Sequence, residues 1–379
     1  MNWSFRIAEV AGIPIRVHVT FFLILLLGAY QWGNMTGTLN GAVFGLALMI
    51  LLFVCVTLHE LGHSLVARAF GIPVREITLL PLGGVAQITK NPEKPLHELL
   101  IAIAGPLVNV VIAIVLLAAL GFAAAPQLLS GQGLLPAELD NTPSLTTALL
   151  WLLSANVSLV LFNLIPAFPL DGGRVLRALI AMFTGYSRAT RIASAVGQFI
   201  AIILGIYGVL NGHILLTLVA VFVFFGAGQE TAEAEAKTVL TTLRVGDAYN
   251  KHALTLTVGD RVSRVVDYIL TSYQPDFAVL QGRNPIGIVT RNDVLAALAT
   301  HTGDTFVTEI MQRDFLKVES SKSLDEVRRA MGENTSRIAA VYDGANYLGL
   351  VSLEDVAEAF AVQTFVQRQK QMRQAGAGA

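Results

Sequence analysis

The chain has one cysteine, Cys55, in 379 residues. A lone thiol excludes an intrachain disulfide and any zinc site built on cysteine. Charge is scarce: 14% of residues are Asp, Glu, Lys or Arg, and the net charge is -1. With no basic stripe, nucleic acid is excluded as a partner. A cleaved signal peptide is also not expected, because mixed sequence splits Arg6 from Arg16 and no small-residue cleavage site follows the first apolar run. What remains is hydrophobic. Residues of the apolar set make up 54% and the mean hydropathy is +0.62, the composition of a polytopic membrane protein.

Apolar runs at 19–33, 41–67, 99–123, 145–166, 190–211 and 213–229 predict about six membrane-spanning helices. The connecting segments 34–40, 124–144 and 211–213 contain no Lys or Arg. The other set holds Arg6, Arg16, Arg68, Arg75, Lys90, Lys94, Arg174, Arg177, Arg188 and Arg191. The positive-inside rule assigns that set to the cytoplasm, and both termini with it. Arg174 and Arg177 are read as anchors at the inner interface.

The second span carries His59-Glu60-Leu61-Gly62-His63. On a helix, residues i and i+4 share a face, so the two imidazoles aim at one point while the glutamate supplies a general base. Ionisable groups at this depth are costly and mark function. The expectation is a metal-dependent hydrolase working inside the bilayer, near its cytoplasmic side. A catalytic zinc needs a third protein ligand, and Asp171 in Asn163-Leu-Ile-Pro-Ala-Phe-Pro-Leu-Asp171-Gly172-Gly173 is the candidate. Pro166 and Pro169 break the helix ahead of it, and the two glycines are expected to let the backbone pass close to the metal. His18, before the first span, is read as an interface or hydrogen-bonding residue, and His97, His213, His252 and His301 as scattered.

Together these motifs resemble the site-2 protease family of intramembrane metalloproteases. Ala104-Gly105-Pro106-Leu107-Val108-Asn109 and Leu79-Leu80-Pro81-Leu82-Gly83-Gly84-Val85 fit it as well. The resemblance covers roughly residues 1 to 230. It implies one zinc ion held by His59, His63 and Asp171, Glu60 as general base, and Asn163 helping to polarise the scissile carbonyl or to hold the transition state. The substrate it implies is a transmembrane protein in the lipid bilayer of a cell membrane, cut in or near its span. Val74 to Ile88 reads as a re-entrant hairpin that in this family pairs with substrate as an added strand, and Ile13 to Val19 extends the same sheet.

After Gly228 the charge density rises. Residues 1–229 are assigned to the membrane domain and 230–242 to a polar, helix-prone linker. An α+β domain follows, containing an internal repeat: Gly287-Ile-Val-Thr290 with Asp293, against Gly349-Leu-Val-Ser352 with Asp355. The copies resemble a pair of CBS motifs, at 243–300 and 304–363, with the tail 364–379 expected to be disordered. That resemblance implies an adenine nucleotide of the ATP or AMP type at Thr290, Asp293, Ser352 and Asp355, modulating proteolysis. The alternative is a pair that only mediates association, as a homodimer. Val245-Gly-Asp-Ala-Tyr249 departs from the usual opening of the first motif. Two further readings compete for the whole chain. A CBS-regulated metal transporter is disfavoured by the scarcity of polar groups in the outer halves of the spans. A catalytically inert homologue is disfavoured by the presence of Glu60.

Overall fold

A computed structural model describes the chain except residues 1–2, 82, 89–91, 93, 130–141, 273, 301–303 and 377–379. Leu82, Lys90, His301 and most of the 124–144 connection therefore lie outside the described residues. The chain divides into two compact units, Met1–Ala232 and Glu233–Ala379.

The first unit opens with strands β1 (Ser4–Val10) and β2 (Ile13–His18), then helices α1 (Phe21–Thr36) and α2 (Leu39–Ala69). Strands β3 (Val74–Leu80) and β4 (Gly83–Ile88) precede α3 (Pro95–Leu129), α4 (Leu145–Asn163), α5 (Asp171–Thr184), α6 (Tyr186–Leu210) and α7 (Ile214–Thr242). Helices α2, α3, α4, α6 and α7 are long and apolar enough to cross a membrane. The first expected span is α1, whose 16 residues rise only about 24 Å at 1.5 Å each, less than the ~30 Å of hydrocarbon. The polar stretch expected as a helix-prone linker at 230–242 is helical, the later part of α7, and the division between the two units falls within it. Its alanines and glutamates are strong helix formers, so the helix persists after the apolar run ends.

The four strands form one sheet in the order β1-β2-β3-β4. Strand β2 alternates, with Ile13, Ile15 and Val17 buried between partly exposed neighbours. These three pack with Ile77 and Leu79 of β3 against Phe21, Phe53 and Leu61, which seats the sheet on α1 and α2. The expected pairing of 13–19 with the 74–88 hairpin is present, as parallel β2 and β3. Strand β1, an antiparallel addition at one edge, was not apparent from the sequence pattern. Cys55 is buried in α2, one turn before His59.

The second unit contains α8 (Val245–Ala248), β5 (Thr255–Thr257), α9 (Val262–Ser272), β6 (Asp276–Gln281), β7 (Asn284–Thr290) and α10 (Arg291–Thr300). The repeat follows as α11 (Val307–Ile310), β8 (Leu316–Glu319), α12 (Leu324–Glu333), β9 (Ile338–Asp343), β10 (Asn346–Ser352) and α13 (Leu353–Gly376). Each copy builds a three-stranded sheet with one parallel and one antiparallel pairing. The opening turns are exchanged. Val245 packs in the core of the second copy with Val318, Leu324 and Val351, and Val307 and Met311 pack in the core of the first. The motif boundaries expected at 243–300 and 304–363 thus cut across both cores. The tail expected to be disordered from 364 is the later part of α13 as far as Gly376.

Burial, reinforced by the charges of Glu354 and Asp293, pushes the Asp276 carboxyl up to about 6. The unfolded reference is 3.8, so protonation favours the folded state. That contribution is fully present below about pH 4 and fades as pH rises through about 6. Asp276→Asn is expected to stabilise this unit by about 1 kcal/mol at neutral pH, after discounting for solvent, and to change little near pH 4. Limited proteolysis of the full chain across a temperature ramp at both pH values checks it. Equal stabilisation at the two would show that the carboxylate charge is not the cause.

Candidate metal centre

Helix α2 places His59 and His63 one turn apart, both buried, with ring centroids 4.7 Å apart. Asp171 arrives from a different part of the chain, as the first residue of α5 and buried. Pro166 and Pro169 do end α4 here as expected, and the chain crosses 164–170 without helix before α5 begins. The glycines after Asp171 serve a different purpose from the one expected. They form the first turn of α5, where an added Cβ would lie 2.2 Å from the Ile165 carbonyl oxygen at Gly172 and 2.6 Å from Ala167 at Gly173. They let α5 close onto the preceding loop, and the loop then holds Asp171 in place.

The three ligand atoms converge. His59 Nε2 and His63 Nε2 are 3.1 Å apart, and Asp171 Oδ2 lies 3.2 Å from the first and 3.1 Å from the second. A tetrahedral zinc with bonds of ~2.0–2.2 Å separates its ligands by about 3.3 Å, so the triangle has the size the ion requires. The opposite ring nitrogens are both engaged: His59 Nδ1 with Asn109 Oδ1 at 3.0 Å, and His63 Nδ1 with the Ile101 carbonyl oxygen at 2.6 Å. Each Nδ1–H donates outward, which leaves each Nε2 lone pair for a metal. Helix α3 also makes room. An added Cβ at Gly105 would sit 2.2 Å from His63 Nε2 and 2.7 Å from His59 Nε2, so the missing side chain is the cradle an ion would fill.

Glu60 is half-buried beside this triangle, and its carboxylate has no hydrogen-bond partner among the described residues. Strand β4 passes over it so closely that a Cβ on Gly84 would be 2.5 Å from Glu60 Cγ. Gly84→Ala is therefore expected to displace Glu60 and lower kcat/KM about 100-fold with zinc content unchanged, since ~1 Å of misplacement can cost that much. A rate near that of wild type in a cleavage assay would refute the close approach. Asn163 is the last residue of α4, half-buried, with no side-chain hydrogen bond among the described residues.

The chain was compared with known proteins. Residues 47–142 and 129–205 match peptidase family M50, and residues 307–362 match the CBS domain. A zinc metalloprotease of Methanocaldococcus jannaschii is 34% identical over 364 residues, which are 96% of this chain and 97% of that protein. The chain belongs to peptidase family M50. Stage IV sporulation protein FB of Bacillus subtilis is 28% identical over 55% of this chain and 63% of that protein. A solved site-2 protease from Methanocaldococcus jannaschii is 42% identical, covering 60% of this chain and 95% of that chain with a TM-score of 0.43. With five helices able to span, this M50 member is a multi-pass membrane protein.

Other residues singled out in the sequence stand elsewhere. His18 Nδ1 meets the Thr20 hydroxyl at 2.7 Å, a local bond and no part of the metal triangle. Arg177 is not an interface anchor. It is buried, donating to Glu98 from Nε at 2.7 Å and to Glu230 from Nη1 at 2.8 Å. Its guanidinium also covers the rings of Phe168 and Tyr186 at 4.7 and 4.8 Å. Through Phe168 it braces the loop that leads into Asp171.

In the CBS unit, Thr290 with Asp293 and Ser352 with Asp355 form reciprocal caps on α10 and α13. Each carboxylate accepts from the backbone and hydroxyl of its Thr or Ser, and each Asp backbone N–H donates back to that hydroxyl. The copies differ in one respect. Both oxygens of Asp293 accept from Gln312 Nε2, at 3.1 and 3.0 Å, whereas Asp355 Oδ1 has no partner among the described residues.

Proposed function

We propose that this M50 member is an intramembrane zinc endopeptidase that cuts transmembrane substrates in or near their spans and releases their cytosolic parts. The observation that carries the reading is the convergence of His59, His63 and Asp171 within 3.2 Å of one another, with Glu60 beside them on the same helix as the two histidines. Zinc, when bound there, polarises the scissile carbonyl and makes water acidic near neutral pH. His59 Nε2, His63 Nε2 and Asp171 Oδ2 would hold it. Glu60 takes the proton from the attacking water on a carboxylate oxygen and delivers it to the leaving nitrogen. Asn163, whose amide has no hydrogen bond among the described residues, donates to the oxygen on which negative charge develops.

A helical substrate cannot be cut while its carbonyls are hydrogen-bonded within the helix. Among the described residues strand β4 pairs with β3 alone, which leaves its other edge for an extended segment, and Gly84 of β4 lies next to Glu60. Substrate added there is unwound and aligned in one step. The positive-inside reading places this edge and both termini on the cytoplasmic side. A transporter would need further ligand sites along its path. Among the described residues the one cluster of three His, Cys, Asp or Glu side chains is His59, His63 and Asp171.

Adenine nucleotide at the CBS pair modulates the protease, with Ser352 and Asp355 the better-suited side because Asp355 Oδ1, without a partner among the described residues, can accept from a ribose hydroxyl. Equal cleavage with and without ATP or AMP, at demonstrated occupancy, would end that part of the reading.

The decisive experiment uses the purified full chain in detergent with a single-span model substrate. Bound zinc, cleavage abolished by a chelator and cleavage restored by zinc are expected. A folded protein that holds no zinc, or that cuts equally well without it, would overturn the function.

A further inference from the structure

Asparagine inside a membrane helix is costly unless its amide has partners. Asn109 of α3 is fully buried, and among the described residues half of its amide finds a partner. Oδ1 accepts from His59 Nδ1 at 3.0 Å, while Nδ2 has no partner among the described residues. The residue therefore does not tie α3 to another helix backbone, as polar residues in spans commonly do. Its one satisfied atom is on a histidine of the metal triangle, 50 positions earlier in the chain.

Ile101, Gly105 and Asn109 follow one another at intervals of four, on one face of α3. That face lies along the face of α2 bearing His63 and His59. Ile101 receives His63 through its backbone carbonyl, Gly105 leaves the gap, and Asn109 receives His59 through its side chain. The two histidines are thus oriented by different means. A substitution cannot remove the backbone carbonyl that orients His63. The side chain that orients His59 can be removed.

We propose that Asn109 is a positioning residue for the metal. It fixes His59 as the Nδ1–H tautomer and turns its Nε2 lone pair toward His63 and Asp171. Were the amide turned over, its NH2 would donate to Nδ1 and leave the ring proton on Nε2, which then could not bind a metal. The acceptor is what matters, and a carboxylate would provide it from either oxygen.

This inference rests on the zinc reading above, and the experiment separates the two. Zinc affinity of the purified full chain is measured by competition with a chelator, and the Co2+ derivative is followed by its visible absorption. Asn109→Leu, close in volume but without an acceptor, is expected to bind zinc 10–100-fold more weakly and to shift the Co2+ bands. Asn109→Ala is expected to weaken binding to a similar extent, which covers the case in which leucine does not fit. Asn109→Asp should stay within a few-fold of wild type. Asn156→Leu is the control for loss of a buried polar residue. It is fully buried in α4, its one hydrogen bond among the described residues goes to the Leu152 carbonyl oxygen, and its replacement should leave zinc affinity unchanged. Wild-type affinity in Asn109→Leu or Asn109→Ala, or an aspartate as damaging as leucine, would overturn the proposal. Failure of the wild type to bind zinc would instead refute the metal reading itself.

Discussion

Gly105→Ala is expected to strip the protein of zinc without touching a ligand. The new methyl carbon would lie 2.2 Å from His63 Nε2, 2.6 Å from His63 Cε1 and 2.7 Å from His59 Nε2. Zn–N bonds are ~2.0–2.1 Å long, so the methyl falls where the ion has to sit. Relief requires the rings to swing away or α3 to retreat. Swinging the rings removes two ligands. Moving α3 withdraws the Ile101 and Asn109 acceptors from both Nδ1 atoms. We expect at least a 100-fold loss of zinc affinity and no measurable cleavage. Alanine is about 1 kcal/mol better than glycine in a helix, which offsets part of the packing cost, so the metal-free variant should still fold and unfold within several degrees of metal-free wild type. Metal analysis together with thermal unfolding in chelator reads both effects. Wild-type zinc stoichiometry in the variant would show that the ion lies elsewhere.

Glu60→Gln is expected to do the opposite, keeping the metal and losing the reaction. Glu60 is not one of the three converging ligands, and among the described residues its carboxylate has no hydrogen bond that the exchange would break. Glutamine has nearly the same shape but cannot take a proton. General base catalysis contributes about 10²–10⁴-fold, and a fall of that order in kcat is the expected reading at unchanged zinc content. Activity within tenfold of wild type would move the base to another residue. Loss of zinc would make Glu60 part of the metal's support.

What could be read ahead of the structure was whatever repeats at short range. The i, i+4 spacing brings His59 and His63 together on any helix, and the prolines at 166 and 169 announce a break before Asp171. The internal repeat was visible because its copies share residues in order. The contacts that finish the site join distant segments. Asn109 is 50 positions from His59, Ile101 is 38 from His63, and Arg177 is 79 and 53 from its two glutamates. No periodicity carries such pairings. Arg177 looked like an interface anchor because its charge is visible in the sequence and Glu98 and Glu230 are not visibly its partners. The exchanged opening turns of the CBS unit escaped for the same reason, since sequence order assigned Val245 and Val307 each to the wrong core. A sequence signal for Gly105 did exist in the Ala-Gly-Pro run, but the neighbour that excludes a side chain there is on another helix.

Cys55 gives the molecule a built-in clock. It is the only thiol in the chain, one turn from His59 on the same face of α2, and 8% exposed. A small alkylating reagent can reach it only when the helices around it part. Its labelling rate in the unmodified protein therefore counts how often the shelter around the metal face opens. Any substrate, nucleotide or lipid that changes that frequency will change the rate without a probe having to be introduced.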